Sequence, residues 1–226
     1  MSERCLKCFR SLGSCYCKYI TPVDPGVKFV FLMHPHEAKR QRTGTGRLAC
    51  LSLTGSEIIV DKSFDDNKRT QSLISDPGYY PMVLYPGEGA CSAESFNFES
   101  NLEGRILLIF LIDATWVMAR KMMFRSPGLQ ELPRLTFDKE YRSRFKIKTQ
   151  PADYCLSTIE SSYYLMKELQ NSGVCDPALD GEGLITVFDR MVKFQIESKE
   201  KRLVSMQHEN EMDPGGEISS IAVELS

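Results

Sequence analysis

Long hydrophobic runs are missing from this 226-residue chain; the longest, Ile106–Ile112, has seven residues. A membrane-spanning helix needs about 20, so no integral membrane segment is expected. The opening, MSERC, has no apolar core of the kind a secretory signal carries. Export is therefore not expected, and the compartment is read as the reducing cytoplasm. Two phosphate-binding signatures are also absent: neither the Walker loop, G-x4-G-K-S/T, nor the dinucleotide fingerprint G-x-G-x-x-G occurs. Lys and Arg are lacking after Arg202, where Leu203–Ser226 carries Glu209, Glu211, Asp213, Glu217 and Glu224. No internal repeat is visible.

What is present describes a globular α/β chain. Apolar residues make up 42% and charged residues 26%, a balance that excludes a mostly disordered protein. A chain of this length buries about 70–75% of its unfolded surface and builds a core without staples. The net charge is −2. Setting aside the five acidic groups of the tail leaves the body at +3, which suits a phosphate-bearing partner without demanding one. Strands are expected at Lys28–Met33, Glu57–Val60, Pro81–Tyr85 and Arg105–Ile112. Their apolar filling, with little alternation, predicts strands covered on both faces, as in a parallel sheet. Helices are expected at Arg47–Leu53, Thr115–Phe124 and Thr158–Gln170, and from Gly183 to about Arg202. Ser157 and Glu160 form a capping-box pair at the start of the third. The spacing of Ile159, Tyr163, Met166 and Leu169, and of Leu184, Val187, Phe188 and Met191, gives the last two helices an apolar face. The organisation is a Cys-rich module at 1–20, an α/β domain at 21–202 and a disordered acidic tail at 203–226.

Four of the eight cysteines lie within 13 residues, as Cys5-x2-Cys8-x6-Cys15-x-Cys17. Clustered thiols in a reducing compartment point to metal ligation, and zinc takes four thiolates tetrahedrally. An iron–sulfur cluster or free thiols are the alternatives. The scattered Cys50, Cys91, Cys155 and Cys175 read as small buried apolar groups.

Three apolar runs end in polar or Gly-rich loops: His34-Pro-His-Glu37, Pro86-Gly-Glu-Gly89 and Asp113-Ala-Thr-Trp116. Ligands of open α/β sheets bind beyond the carboxyl ends of the strands. Each ending alone is explained as well by ordinary turn or cap chemistry; three together favour a site. Arg42-Thr-Gly-Thr-Gly-Arg47 then presents backbone N–H groups at a helix start, an anion site or a basic surface turn. Arg120, Lys121, Arg125, Arg134, Arg142, Arg144, Lys146 and Lys148, with Tyr141 and Phe145 interleaved, fit RNA phosphates and bases. A plain amphipathic edge fits them too.

Asp113-x-Thr115-Trp116 after an apolar strand resembles the signature of DTW-domain proteins. Four further segments resemble that family's motifs in order: Cys5-x2-Cys8-x-Arg10…Cys15-x-Cys17; His34-Pro35-x-Glu37 with Thr43-x-Thr45-Gly46-Arg47-Leu48; Tyr85-Pro86-Gly87; and Leu156-Ser157-Thr158-Ile159-Glu160. Ala114, Gly44, Ser11 and Lys148 depart from the usual residues. The resemblance implies a SPOUT-like, knotted sheet and tRNA-uridine aminocarboxypropyltransferase activity. Such enzymes move the 3-amino-3-carboxypropyl group of S-adenosylmethionine to N3 of a uridine and release methylthioadenosine.

On that resemblance, the donor site comprises His34, Pro35, Glu37, Thr45, Gly46, Arg47, Tyr85, Pro86, Gly87, Asp113, Thr115, Trp116, Leu156, Ser157, Thr158 and Glu160. A sulfonium is already an activated leaving group, so the enzyme must align donor and acceptor and remove the N3 proton. Asp113 is the first candidate base and His34 the second. Amides at Thr45–Arg47 are expected to take the donor carboxylate, Glu37 or Glu160 its ammonium, and Trp116 to stack on a base. Arg40, Arg42, Arg120, Lys121, Arg142, Arg144 and Lys148 are expected to meet tRNA, and structural zinc to occupy the Cys site. The rivals are the same transfer to ribosomal RNA, a SPOUT-like methyltransferase, and a non-catalytic zinc-containing RNA-binding module.

Overall fold

The elements of the computed structural model follow in chain order: β1 (Lys28–Met33), α1 (Pro35–Lys39), α2 (Thr45–Ser52), β2 (Glu57–Val60), α3 (Lys68–Ile74), β3 (Tyr79–Leu84), β4 (Cys91–Ser92), α4 (Phe98–Leu102), β5 (Ile106–Asp113), α5 (Trp116–Phe124), α6 (Pro127–Gln130), β6 (Arg134–Thr136), α7 (Thr158–Asn171) and α8 (Glu182–Met212). The structure describes residues 3–39, 44–145 and 155–212. Among them, no helix is long and apolar enough to cross a membrane.

The strands form one six-stranded parallel sheet in the order β2-β1-β5-β3-β6-β4. The most apolar run, β5, lies inside it between β1 and β3. Successive side chains of a strand point to opposite faces, and here both faces are covered. Phe29, Phe31, Met82, Leu107, Ile109 and Leu111 meet Leu48 of α2, Ile159 and Leu165 of α7, and Leu184 and Phe188 of α8. Val30, Leu32, Val83, Leu108 and Phe110 meet Leu73 of α3, Met122 and Met123 of α5, and Leu129 of α6. Two buried faces remove the alternation that a one-sided sheet would show.

The parallel register aligns the strand ends. Met33 pairs with Asp113, and Leu84 with Leu111. The backbone N–H of His34 donates to the Asp113 carbonyl at 3.1 Å. The carboxyl ends of β1, β3 and β5 therefore open on one edge of the sheet.

Two short strands, β4 and β6, were not expected from the sequence. Their two and three residues carry too little pattern to stand out; pairing with β3 and with each other defines them. The last helix also runs ten residues past its expected end at Arg202. Residues 203–212 contain neither Gly nor Pro and favour helix despite their acidity; Pro214 is the first breaker in the sequence. The rest of the expected disordered tail lies outside the described residues. The Cys-rich segment packs along α8: Tyr16 is buried and edge-on to Phe194 at 6.1 Å, and Arg190 lies over the Tyr19 ring at 4.3 Å.

Helix α7 starts on the expected capping-box pair. Glu160, fully buried, accepts from the Ser157 backbone N–H at 2.8 Å and from the Ser157 hydroxyl at 2.6 Å. It also accepts from the Ser143 hydroxyl at 2.9 Å and the Arg144 backbone N–H at 2.6 Å. One carboxylate thus caps a helix and anchors a second segment. Glu160→Ala orphans four donors, and we expect it to cost about 3 kcal/mol or more in urea unfolding.

Candidate active site

The edge where β1, β3 and β5 end holds a cavity of about 590 Å³, within the usual range of roughly 300–1,000 Å³ for ligand sites. Asp113 stands on its wall at the end of β5 and is 7% exposed. The Thr158 hydroxyl donates to Asp113 Oδ1 at 2.6 Å. Opposite, α2 approaches so closely that a Cβ on Gly46 would lie 2.2 Å from Asp113 Oδ2. The carboxylate is thereby fixed between the starts of α2 and α7.

Glu37 of α1 also lines the cavity and is 8% exposed. Among the described residues its Oε1 has no hydrogen-bond partner. A buried carboxylate oxygen left open in a cavity suits a cationic ligand group. Gly44, Thr45, Tyr85, Pro86, Ala114, Thr115, Trp116, Leu156, Ser157 and Thr158 complete the part of the lining that the sequence motifs supply. Thr115 caps α5, its hydroxyl accepting from the Met118 N–H at 3.5 Å. Trp116 is partly exposed at the first turn.

Other expected residues stand outside the lining. Pro35 opens α1, and Arg47 lies over the Phe9 ring at 4.5 Å. Gly46 backs Asp113, and Gly87 abuts the Arg134 guanidinium. Glu160 is consumed by its four donors and offers nothing to a ligand, which leaves Glu37 as the acid for a cation. His34 does not line the cavity either. Its Nδ1 accepts from the His36 backbone N–H at 3.1 Å. Burial, and then the charges of Lys62 and His36, push the imidazole below its usual pKa. The ring is therefore neutral at pH 7 and already used in a local turn.

One wall was not foreseen. Thr136, Phe137, Lys139, Glu140 and Tyr141, following β6, face the cavity. Glu168 of α7 holds them: its Oε1 accepts from the Asp138 N–H and the Tyr141 hydroxyl, each at 3.0 Å. Burial raises the Glu168 pKa. Tyr141 stacks on Tyr164, with 3.9 Å between centroids. The aromatic spacing at Phe137 and Tyr141 was the only sequence signal available. Tyr85, Trp116, Phe137 and Tyr141 give the cavity aromatic surfaces, while Asp113, Glu37 and Glu140 give it three acids, the first two of them buried. That combination suits a ligand with a flat ring at one end and a cation at the other.

Of the basic residues expected to meet RNA, Arg120 and Lys121 are exposed on the outer face of α5, and Arg142 is exposed beside the aromatic wall. Arg144 is partly committed, its guanidinium lying 3.4 Å from Asp189. Phe145 is core, edge-on to Phe188 at 5.3 Å. Arg40, Arg42 and Lys148 lie outside the described residues.

Cys5, Cys8, Cys15 and Cys17 come together, with all four sulfurs within 4.8 Å of one another. Cys5 and Cys17 are 3.7 Å apart, and Cys8 and Cys15 are 3.8 Å apart. Backbone N–H groups of Cys8 and then Lys7 hold the Cys5 thiol down to about 6. Burial pushes Cys15 and Cys17 up. The cluster can hold a metal ion.

The Gly46–Asp113 contact is testable by itself. Gly46→Ala forces Asp113 off Thr158 or pushes α2 away, and overpacking of this kind costs about 1–3 kcal/mol. We expect a fall in Tm of roughly 2–12 °C in calorimetry.

The chain is similar in sequence to known proteins. A family model described as the DTW domain matches residues 2–196. The tRNA-uridine aminocarboxypropyltransferase 2 of Macaca fascicularis is 22% identical over 207 residues, covering 90% of this chain and 67% of that protein. Its Mus musculus counterpart is 25% identical over 199 residues, 85% and 63% of the two chains. The Drosophila melanogaster protein of that name is 28% identical over 176 residues, 75% and 67%. The chain spans about two thirds of the length of these relatives. No solved structure matches. The match runs from the cysteine cluster through the strand ends to α8, and on that extent the chain belongs to the DTW-domain family.

Proposed function

We propose that this chain is a tRNA-modifying transferase that moves the 3-amino-3-carboxypropyl group of S-adenosylmethionine to N3 of a uridine. The observation that carries the reading is the pairing, in one cavity, of a fixed carboxylate at the end of β5 with the open carboxylate of Glu37. The names of the relatives supply the reaction class.

In this reading Glu37 takes the ammonium of the donor. Backbone N–H groups at the start of α2 take its carboxylate, with the helix dipole in support. The adenine lies against the aromatic wall. Uridine N3 attacks the donor γ-carbon in line with the sulfur, and the carbon–sulfur bond breaks. The electron pair returns to sulfur, which leaves as the neutral thioether methylthioadenosine. The N3 proton passes to Asp113, held in place by Thr158. Alignment supplies most of the catalysis, because the sulfonium needs no further activation. Arg120 and Lys121, exposed on the helix that Trp116 opens, and Arg142, exposed next to Tyr141 in the chain, meet tRNA phosphates. A knotted, SPOUT-like sheet belongs to the same reading. A cytoplasmic site of action agrees with the need to keep four thiols reduced.

The cysteine cluster holds a structural zinc ion. Tetrahedral bonds of 2.3 Å place sulfurs about 3.8 Å apart, and two of the pairs, Cys5–Cys17 and Cys8–Cys15, stand at 3.7 and 3.8 Å. Four protein ligands close the site, so it stays out of the transfer. Purified protein should carry about one zinc per chain by metal analysis. Full zinc content in a Cys8→Ser, Cys17→Ser double variant would remove this assignment.

Asp113→Asn keeps the shape but cannot accept the proton. We expect single-turnover transfer to fall about 10²–10⁴-fold with donor affinity nearly unchanged. Glu37→Gln should do the reverse, weakening donor binding about tenfold or more through loss of a charge-assisted contact. The product decides the reaction. Methylthioadenosine supports the proposal; S-adenosylhomocysteine indicates a methyltransferase; no donor binding indicates an RNA-binding module.

A further inference from the structure

The segment Cys5-x2-Cys8-x-Arg10 carries an arginine that neither thiol ligation nor group transfer accounts for. Arg10 is 5% exposed. Its Nη2 donates to the Gly44 carbonyl at 3.1 Å and lies 3.4 Å from the Met191 sulfur. The guanidinium sits over the Tyr16 ring at 5.0 Å. Among the described residues its Nη1 has no hydrogen-bond partner, and no carboxylate pairs with the guanidinium.

Gly44 is the residue that starts α2. It lines the cavity with Thr45, and Gly46 then packs on Asp113. The neighbouring Phe9 takes the same helix from its other side, with its ring under the Arg47 guanidinium at 4.5 Å. Phe9 has φ of 56°, a conformation that L residues rarely adopt. Two backbone bonds hold it there: Phe9 N–H to the Cys5 carbonyl and Cys5 N–H to the Arg10 carbonyl, both at 2.8 Å. The turn between Cys5 and Cys8 therefore sets where Phe9 and Arg10 stand, and these two residues grip the start of α2.

Cys5 and Cys8 close this turn and are two of the four thiols of the metal site. An ion held by both fixes the two ends of the turn, and with them the places of Phe9 and Arg10; without it the turn rests on its two backbone bonds alone.

We propose that Arg10 is a positioning residue that makes the start of α2, and with it the donor cavity, depend on the occupied Cys site. The cavity part rests on the transferase reading above; the link between the Cys site and α2 does not. The test uses the full chain as purified, the Arg10→Ala and Arg10→Lys variants, and wild type treated with a chelator. Metal content, amide hydrogen exchange and S-adenosylmethionine affinity by calorimetry are read on each. Arg10→Ala should keep about one zinc per chain. Its exchange at residues 48–52, whose amides carry the hydrogen bonds of α2, should rise about tenfold or more, with donor affinity falling by a similar factor. Amides of Leu108–Phe110 in the sheet should not change. Chelation should loosen 48–52 in wild type, yet add less than about twofold in Arg10→Ala, because two changes on one route do not add. Arg10→Lys keeps charge without the planar fork, and should fall between wild type and Arg10→Ala; it carries the test if Arg10→Ala does not fold. Unchanged exchange at 48–52 in both variants overturns the proposal. So does a chelation effect of equal size in wild type and variant, because the metal would then act by another route. If wild type binds no S-adenosylmethionine while the exchange pattern appears as stated, the transferase reading fails and the Arg10 link stands.

Discussion

Asp113 ends a strand whose other residues are apolar, and it is itself almost wholly buried. A carboxylate so placed must be satisfied locally, because water cannot reach it freely. The Thr158 hydroxyl is one answer, and it ties the first residue of α7 to the sheet. The absence of a side chain at Gly46 is another, since it lets α2 close on the same group. The His34 N–H on the Asp113 carbonyl fixes the exit of β1. Three elements far apart in sequence are thus positioned by one acidic residue. The cavity is the space left between them.

The sheet makes this possible by being covered twice. β5 buries Leu107, Ile109 and Leu111 on one side and Leu108 and Phe110 on the other. A strand held on both faces and both edges has little freedom to shift, so its last residue is delivered to a fixed point. The surrounding helices are held by fewer contacts and by specific polar groups, of which Glu160 and Glu168 are the clearest. Each is a buried acid that serves as an anchor: Glu160 for the start of α7 and Ser143–Arg144, Glu168 for the aromatic wall. The motif glutamate at 160 and the glutamate at 37 look alike in sequence, but only one has spare hydrogen-bonding capacity.

The Cys-rich segment adds a second polar centre beside the start of α2. Its four sulfurs lie within 4.8 Å of one another, and its turn carries Phe9 and Arg10 to the same helix that backs Asp113. Site and module therefore share one element. Substitutions in the module and substitutions at the strand end act on the same short helix.

The sequence by itself determined the parallel α/β class, the bounds of β1 and β2, the apolar faces of α7 and α8, and the grouping of four cysteines. Each of these is a local property: an unbroken apolar run, a helical period, or ligands close in the chain. It also indicated which loops end the strands, and the cavity opens at that edge. Only the tertiary structure decided what each polar side chain does there. It removed His34 from the cavity by turning its ring onto the His36 amide, and removed Glu160 by surrounding it with donors. It made strands of Cys91–Ser92 and Arg134–Thr136, too short to signal themselves, by pairing them. It also brought in Phe137 and Tyr141 through Glu168, thirty residues away. A polar residue's role depends on which donors and charges surround it, and those neighbours are fixed by chain contacts that sequence spacing does not encode.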